Sequence, residues 1–285
     1  MTTTRLIRDY LANAQEVVHP MTEYSTISAV SRAFQVIEVL ADAPAGAQVT
    51  EIAERVGIEF SIASRILSTL ASEGYVRRDN LSGRYQLTFK LVATISRHIE
   101  EAGFPDICMP LLQEMAEKTG ELVQLAVLEG TEFWFIAKAE GKHRIRMLSA
   151  LGRSAPLHAS SIGKAFLASL PEEEALALVS ARGLPALAPK TITTLSKLQA
   201  ELRKTRSLGY AVVQDEYVEG GTAVGAVVRR ERGGGAVVGA VSIAAPSFRL
   251  KSQALGDLGR EVIQLSLRVA SMWPVDWSPT ARRSA

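Results

Sequence analysis

The order of segments between residues 28 and 87 constrains this chain more than any other feature: three amphipathic stretches of helical length, then two short β-prone runs joined by a polar turn and rich in arginine. In "SAVSRAFQVIEVLA" the residues Val30, Phe34, Ile37 and Ala41 recur at helical spacing and the pattern stops at "DAPAG", which predicts a first helix from Ser28 to Ala41. "VTEIAERVG" predicts a short second helix, with Thr50 capping its start, Glu51 and Glu54 near the positive end of its dipole and Gly57 as its stop. In "SIASRILSTLASEG" the spacing buries Ile62, Ile66 and Leu70 on one face of a third helix and sets Ser61, Arg65, Ser68 and Ser72 on the other, with Ser64 beside them. "YVRRDNLSGRYQL" then predicts a hairpin that carries Arg77, Arg78 and Arg84 around a turn with Asn80, Ser82 and Gly83.

Charge follows the same division. From Thr26 to Glu59, Arg32 and Arg55 face five carboxylates, a net charge of −3; from Phe60 to Lys90 five basic residues face Glu73 and Asp79, a net charge of +3. Three helices followed by a basic hairpin define a winged helix-turn-helix, in which the third helix enters the major groove and the wing contacts backbone or minor groove. Double-stranded DNA is therefore the expected partner. Thr50, Ser61, Ser64, Arg65, Ser68, Arg77, Arg78 and Arg84 are the expected contacts, because hydroxyls and guanidinium groups hydrogen-bond phosphates and base edges. The plainer alternative for the third helix is an ordinary solvated face.

Composition excludes several classes. With 285 residues, 47% of them hydrophobic, the chain can bury a sizeable core in one large or two ordinary domains. No apolar run approaches the ~20 residues that span a bilayer, and the longest, Ala236 to Ala245, has the length of a strand. The first twenty residues carry acids and a broken apolar pattern, so a cytoplasmic protein without a membrane partner is expected. Cys108 is the only cysteine, and His19, His98, His143 and His158 share no metal-ligand spacing. Neither a metal nor a cofactor is expected.

"PLHASSIGKAF" concentrates a histidine, two serines and a Gly-Lys pair. As a P-loop it fails, since His158 stands where the first glycine belongs and Ala165 where the magnesium-binding hydroxyl belongs. As a nucleophile elbow it lacks the flanking glycines, although a triad is defined in space and is not excluded by sequence. What remains is a polar run feeding an apolar helix. Around it, "FKLVATISRHIEEAG" predicts a linker helix with Leu91, Ile95 and Ile99 one turn apart, and "PDICMPLLQEMAEKTG" a helix closing at Gly120. Two strands follow around Gly130. Further helices are expected from about Ser160, from Glu172 to Arg182 and from Ser196 to Ser207, then a strand from Tyr210 to Gln214. A hairpin turning at Gly233 to Gly235 and a last helix striped by Leu255, Leu258, Val262, Leu265, Val269 and Met272 complete an α+β chain.

Several separated motifs, in order, resemble the isocitrate lyase regulator (IclR) family of bacterial transcription factors: "AVSRAFQVIEVLA", "SRILSTLASEGYVRRD", "GRYQLT", "PLHASSIGKAFLA", "LGYAVVQDEY" and "VVGAVSIAAP". Glu59, Phe60 and Ile62 depart from the proline, lysine and threonine common there. The resemblance covers about residues 27 to 274 and implies an N-terminal extension (1–25), a winged helix-turn-helix (26–88), a linker helix (89–103), a GAF-like effector-binding domain (104–274) and a C-terminal tail (275–285). One recognition helix covers only a half-site, so a homodimer is expected, either as such or paired into a dimer of dimers. The resemblance also implies a carboxylate effector held at the helix start formed by Ser160, Ser161 and Ile162, with His158 in the same turn. Some members place aspartate, cysteine and two serines where this chain has Val213, Ala223, Ser242 and Ala244; with Trp134, Phe135 and Met147 as apolar wall, an aromatic or branched acid is the expected effector. The implied activity is transcriptional regulation controlled by that acid, with repression favoured over activation. A ligand-independent architectural DNA binder and a Ser/His hydrolase stand as alternatives.

Overall fold

A computed structural model describes residues 27–102, 106–149, 151–230, 235–250 and 252–273 and divides the chain into two units, with the break between Ala102 and Gly103. The N-terminal extension (1–25), the C-terminal tail (275–285), Gly233 and Gly234 of the expected turn, and the side chains of His98 and Ile99 lie outside the described residues.

In the first unit α1 (Ser28–Ala41), α2 (Val49–Val56) and α3 (Phe60–Ser72) pack around a core of Val36, Leu40, Ile52, Leu67 and Leu70, closed by Val76 and Tyr85 of the hairpin β1 (Val76–Arg78) and β2 (Tyr85–Leu87). Two backbone hydrogen bonds between Ala47 and Tyr85 add a bridge to the hairpin. Helix α4 (Lys90–Ala102) follows in the same unit.

Three expectations are corrected here. Helix α1 buries Val36 and Leu40, whereas Val30 and Phe34 are 50% and 62% exposed. Helix α3 buries Ala63, Leu67 and Leu70 and leaves Ile62 and Ile66 half-buried. In both helices adjacent rows are apolar, and the packing of the three helices on one another, not periodicity, chooses the row that faces inward. Thr50 does not cap α2: Gln48 holds that position in extended conformation, its amide donating to Glu51 Oε2 at 3.0 Å, and Thr50 is an exposed residue inside the helix.

The second unit is built on a six-stranded antiparallel sheet in the order β5-β4-β3-β8-β7-β6, comprising β3 (Leu122–Glu129), β4 (Glu132–Ala139), β5 (Ser154–Ala155), β6 (Ala211–Gln214), β7 (Gly221–Arg229) and β8 (Val237–Pro246). Helices α5 (Met109–Thr119) and α9 (Ser252–Met272) cover one face through Leu112, Met115, Val262 and Leu265, which pack with Val123, Val224 and Ile243 of the sheet. Helices α6 (Ser161–Ser169), α7 (Glu172–Arg182) and α8 (Leu195–Leu208) cover the other through Ile162, Phe166, Val179 and Leu202. Alternation along each strand assigns the faces: Val123, Leu125 and Val127 of β3 point to α5 and α9, and Ala126 and Leu128 to α6. Among the described residues no helix is long and apolar enough to cross a membrane.

Candidate functional site

On the first unit the outward side of α3 is polar. Ser61, Arg65 and Ser68 are exposed and Ser64 is half-buried, because Ala63, Leu67 and Leu70 take the inner row. The three arginines of the wing are not equivalent. Arg77 is exposed and donates from Nη2 to Gln86 Oε1 at 2.9 Å, and Arg78, also exposed, lies 5.7 Å from the centroid of the Tyr85 ring. Arg84 turns back into the unit: its Nη1 donates to the Gly46 carbonyl at 2.7 Å and stands 3.5 Å from Glu51, so its guanidinium braces the wing against the start of α2. Gln48 Nε2 adds a second brace, donating to the Ser82 carbonyl at 2.7 Å.

In the second unit the register of four strands lays out a floor. Val213, Ala223, Ala244 and Leu122 are successive cross-strand partners on β6, β7, β8 and β3, and in the next row Gly225, Ser242 and Gln124 are partners. Both rows face α6. All of them but Gly225 line a cavity of about 250 Å³, with Ser160, Ser161 and Ile162 at its helical end and Met147 on its wall. A cavity below the ~300–1,000 Å³ of sites for drug-sized ligands suits a smaller molecule.

The start of α6 explains why "HASSIGKAF" looks chemically loaded. Ser160 is the N-cap: its hydroxyl accepts from the Gly163 amide at 3.1 Å and donates to the Pro156 carbonyl at 2.7 Å. His158 is buried with Nε2 3.0 Å from the Pro185 carbonyl, so it takes no part in the cavity and, among the described residues, pairs with neither serine. Gly225 permits the helix start to sit this low on the sheet, since a Cβ there would lie 2.7 Å from Ser161 Oγ and 3.0 Å from the Ile162 amide nitrogen. The amides of Ser161 and Ile162 accordingly begin the helix at the cavity without a partner among the described residues.

Trp134, like His158, is an expected cavity residue that the structure places elsewhere. It pairs with Val127 on the α5 and α9 side, while its neighbours Phe133 and Phe135 point to the α6 side. A strand presents alternate residues to one face, so Phe135 lines the cavity and Trp134 does not. The sequence reading missed Gln124, Ser149, Arg153 and Tyr217, which also line it. Gln124 had a signal, as the one polar side chain inside an apolar strand; it donates to Ser149 Oγ at 2.7 Å. Arg153 and Tyr217 come from loops and carried none.

A buried ion pair fixes the wall that contains Tyr217. Lys164, fully buried on α6, donates to both carboxylate oxygens of Glu216 at 2.6 and 2.7 Å. Burial raises the Glu216 carboxyl above its ordinary value, and Lys164 acts in the opposite direction. The preceding residue, Asp215, has a φ of 55° and is clamped by Lys190 Nζ at 2.8 Å, the Gly220 amide at 2.9 Å and Ser247 Oγ at 3.0 Å. Hydrogen bonding by Lys190 and then Ser247 holds its carboxyl below the usual range.

A helix-turn-helix unit with a braced wing, joined to a sheet-and-helix unit with a small cavity, is the architecture of a DNA-binding regulator with a ligand-binding domain. The helix-turn-helix model of the IclR family matches residues 29–80, and the model of the bacterial transcriptional regulator IclR C-terminal domain matches residues 98–271. The chain belongs to the IclR family of bacterial transcriptional regulators, and that family consists of regulators and not enzymes. It is similar to the transcriptional repressor IclR of Escherichia coli strain K12 (28% identity, covering 85% of this chain and 89% of the relative) and to the HTH-type transcriptional repressor AllR of Klebsiella pneumoniae (30% identity, covering 82% and 86%). The crystal structure of an IclR homologue from Microbacterium hydrocarbonoxydans complexed with 4-hydroxybenzoate shares the fold, with a TM-score of 0.70 at 23% identity and coverage of 86% and 99%.

Proposed function

We propose that this regulator is a repressor whose hold on a two-fold DNA operator is set by an aromatic or branched carboxylate bound in the cavity of the second unit. The cavity carries the reading. Its helical end offers two amides without a partner among the described residues, at the positive end of a helix dipole, and its floor is apolar at Val213, Ala223, Ala244 and Leu122. Arg153 adds positive charge to the lining and Phe135 an aromatic wall. The repressor names of the two relatives and the 4-hydroxybenzoate complex support the same reading. Isothermal calorimetry with 4-hydroxybenzoate and a series of branched acids tests it. A saturable site whose affinity changes when DNA is added is expected; heat for none of these acids would remove the effector class.

DNA contact is assigned to α3 and the wing. Arg65 is exposed and its side chain has no hydrogen-bond or ion-pair partner among the described residues, so it is available to a phosphate. Arg65→Ala is expected to weaken binding and to reduce the slope of log affinity against log salt by about 1, from the counterion release lost with one phosphate contact. Footprint titrations at two salt concentrations check this, and an unchanged slope would place the contact elsewhere.

Two-fold operators mirror two-fold proteins, and apolar side chains stand exposed on α1 (Val30, Phe34) and α4 (Val92, Ile95). Sedimentation of the full chain is expected to show dimers or tetramers. A strict monomer that binds its operator tightly would sink the symmetric assembly.

A further inference from the structure

The tip of the wing carries a side chain that no packing explains. Leu81 is 100% exposed, while the turn that presents it is fastened on three sides. Asp79 Oδ1 accepts from the Leu81 amide at 3.2 Å, the Ser82 amide at 2.7 Å and the Ser82 hydroxyl at 2.7 Å. Gln48 and Arg84 tie the hairpin to the start of α2, as described above. These bonds, the Ser82 amide first, hold the Asp79 carboxyl below its ordinary range. Behind the tip, Arg77 and Arg78 are exposed on the same hairpin.

An isolated apolar residue on a protein surface is ordinary. This one differs in three respects taken together: it stands at the end of a hydrogen-bonded projection, two exposed arginines lie on the strand behind it, and the projection belongs to a DNA-binding unit. The flanking charge selects an anionic partner and excludes a purely apolar one. Against DNA, an apolar side chain gains nothing from phosphates. It gains from the sugar walls and base edges of the minor groove, where leucine and similar side chains act as wedges that partly unstack base steps and bend the duplex.

We propose that Leu81 is an apolar wedge which the wing sets into the minor groove beside the site of α3, so that the chain selects operators by how easily a base step opens as well as by base contacts. Flexible pyrimidine–purine steps are the favoured position under the tip, since they unstack at least cost. Arg77 and Arg78 hold the flanking phosphates and Asp79 keeps the tip from folding back. The inference rests on the placement of α3 in the major groove proposed above.

The test uses full-length protein and duplexes that it selects from a random-sequence library. In a second set, 2,6-diaminopurine replaces adenine under the wing, adding an amino group to the minor-groove floor while leaving the major-groove edge unchanged. Wild type is expected to lose about tenfold in affinity on the modified duplex, about 1.4 kcal/mol. Leu81→Ala is expected to bind the unmodified duplex about tenfold more weakly, to be indifferent to the modification, and to bend DNA less in a circular-permutation gel assay. Leu81→Met, similar in size and apolarity, is expected to restore most of the affinity. Wild-type affinity, modification sensitivity and bend in Leu81→Ala would overturn the wedge. So would a variant whose only defect is weaker self-association in sedimentation, since that would assign Leu81 to a second copy of the chain. Arg65→Ala measured in parallel separates the two ideas: an error in the placement of α3 leaves Arg65→Ala unaffected, whereas an error in the wedge leaves only Leu81→Ala unaffected.

Discussion

Lys164→Met is expected to destabilise the second unit by about 3–5 kcal/mol, the range seen when one partner of a buried ion pair is removed and the other is left charged. The geometry makes Lys164 the only cation that an ion pair or hydrogen bond brings to Glu216 among the described residues, with two contacts at 2.6 and 2.7 Å from a fully buried amine. Glu216 already has its carboxyl raised by burial from an ordinary 4.5, and loss of Lys164 raises it further. A raised carboxyl favours the folded state when protonated: its contribution is complete below the unfolded value of 4.5 and is lost as pH rises through the folded value. The variant is therefore expected to recover stability on acidification from neutral pH toward 4.5, and Lys164→Met with Glu216→Leu to recover most of it at neutral pH. Thermal unfolding of the three proteins at several pH values checks both statements. A single variant as stable as wild type at pH 7 would mean that the pair contributes nothing to holding the cavity wall.

Ser161→Trp is expected to abolish acid binding, at least a hundredfold in affinity if the indole fills the cavity, about 2.7 kcal/mol or more. Ser161 is buried at the junction of α6 with β7, against Gly225, and lines a cavity of only 250 Å³. The affinity of the unliganded protein for DNA is expected to stay near wild type, because the helix-turn-helix unit folds around its own core. Val213→Asp tests the apolar floor from a different direction: a carboxylate at that cross-strand position faces the bound acid or its hydrocarbon body without a partner, and selectivity is expected to move away from aromatic acids. Calorimetry with and without operator DNA measures both effects. Linkage requires the acid to change DNA affinity by the same factor by which DNA changes acid affinity, typically ~1–3 kcal/mol. Retained acid binding in both variants would refute the cavity as the effector site, and equal acid affinity with and without DNA would refute it as the regulatory input.

Much of the architecture was legible in the residues because it depends on local patterns. Ser28 to Ala41 and Glu172 to Arg182 are helices to the residue, Gly57 and Gly120 end α2 and α5 in left-handed conformation, and the three helices and hairpin of the first unit follow in order. Period and stop signals act within a few residues and need no knowledge of what lies across the core. The floor positions Val213, Ala223, Ser242 and Ala244 were reached through family resemblance, and the cross-strand register makes them neighbours on one face of a sheet although they lie up to 31 positions apart in the chain.

Tertiary structure decided what local patterns leave degenerate. Where two adjacent rows of a helix are both apolar, only the neighbours select one, which is why Val30 and Phe34 stayed outside while Val36 and Leu40 went in. Strand alternation allowed either Trp134 or Phe135 in the cavity, and the pairing of β4 with β3 chose Phe135. Arg84 shares a sequence environment with Arg77 and Arg78, yet a 2.7 Å bond to Gly46, 38 positions away, makes it a brace. The pairing of Lys164 with Glu216 across 52 positions is of the same kind. The sequence by itself determined the order and type of the elements, since these arise from backbone preferences and short-range periodicity. Which faces meet, and which charges are consumed in holding them together, was settled only by long-range packing, because burial energy depends on area removed from water and is indifferent to the names of the residues that lose it.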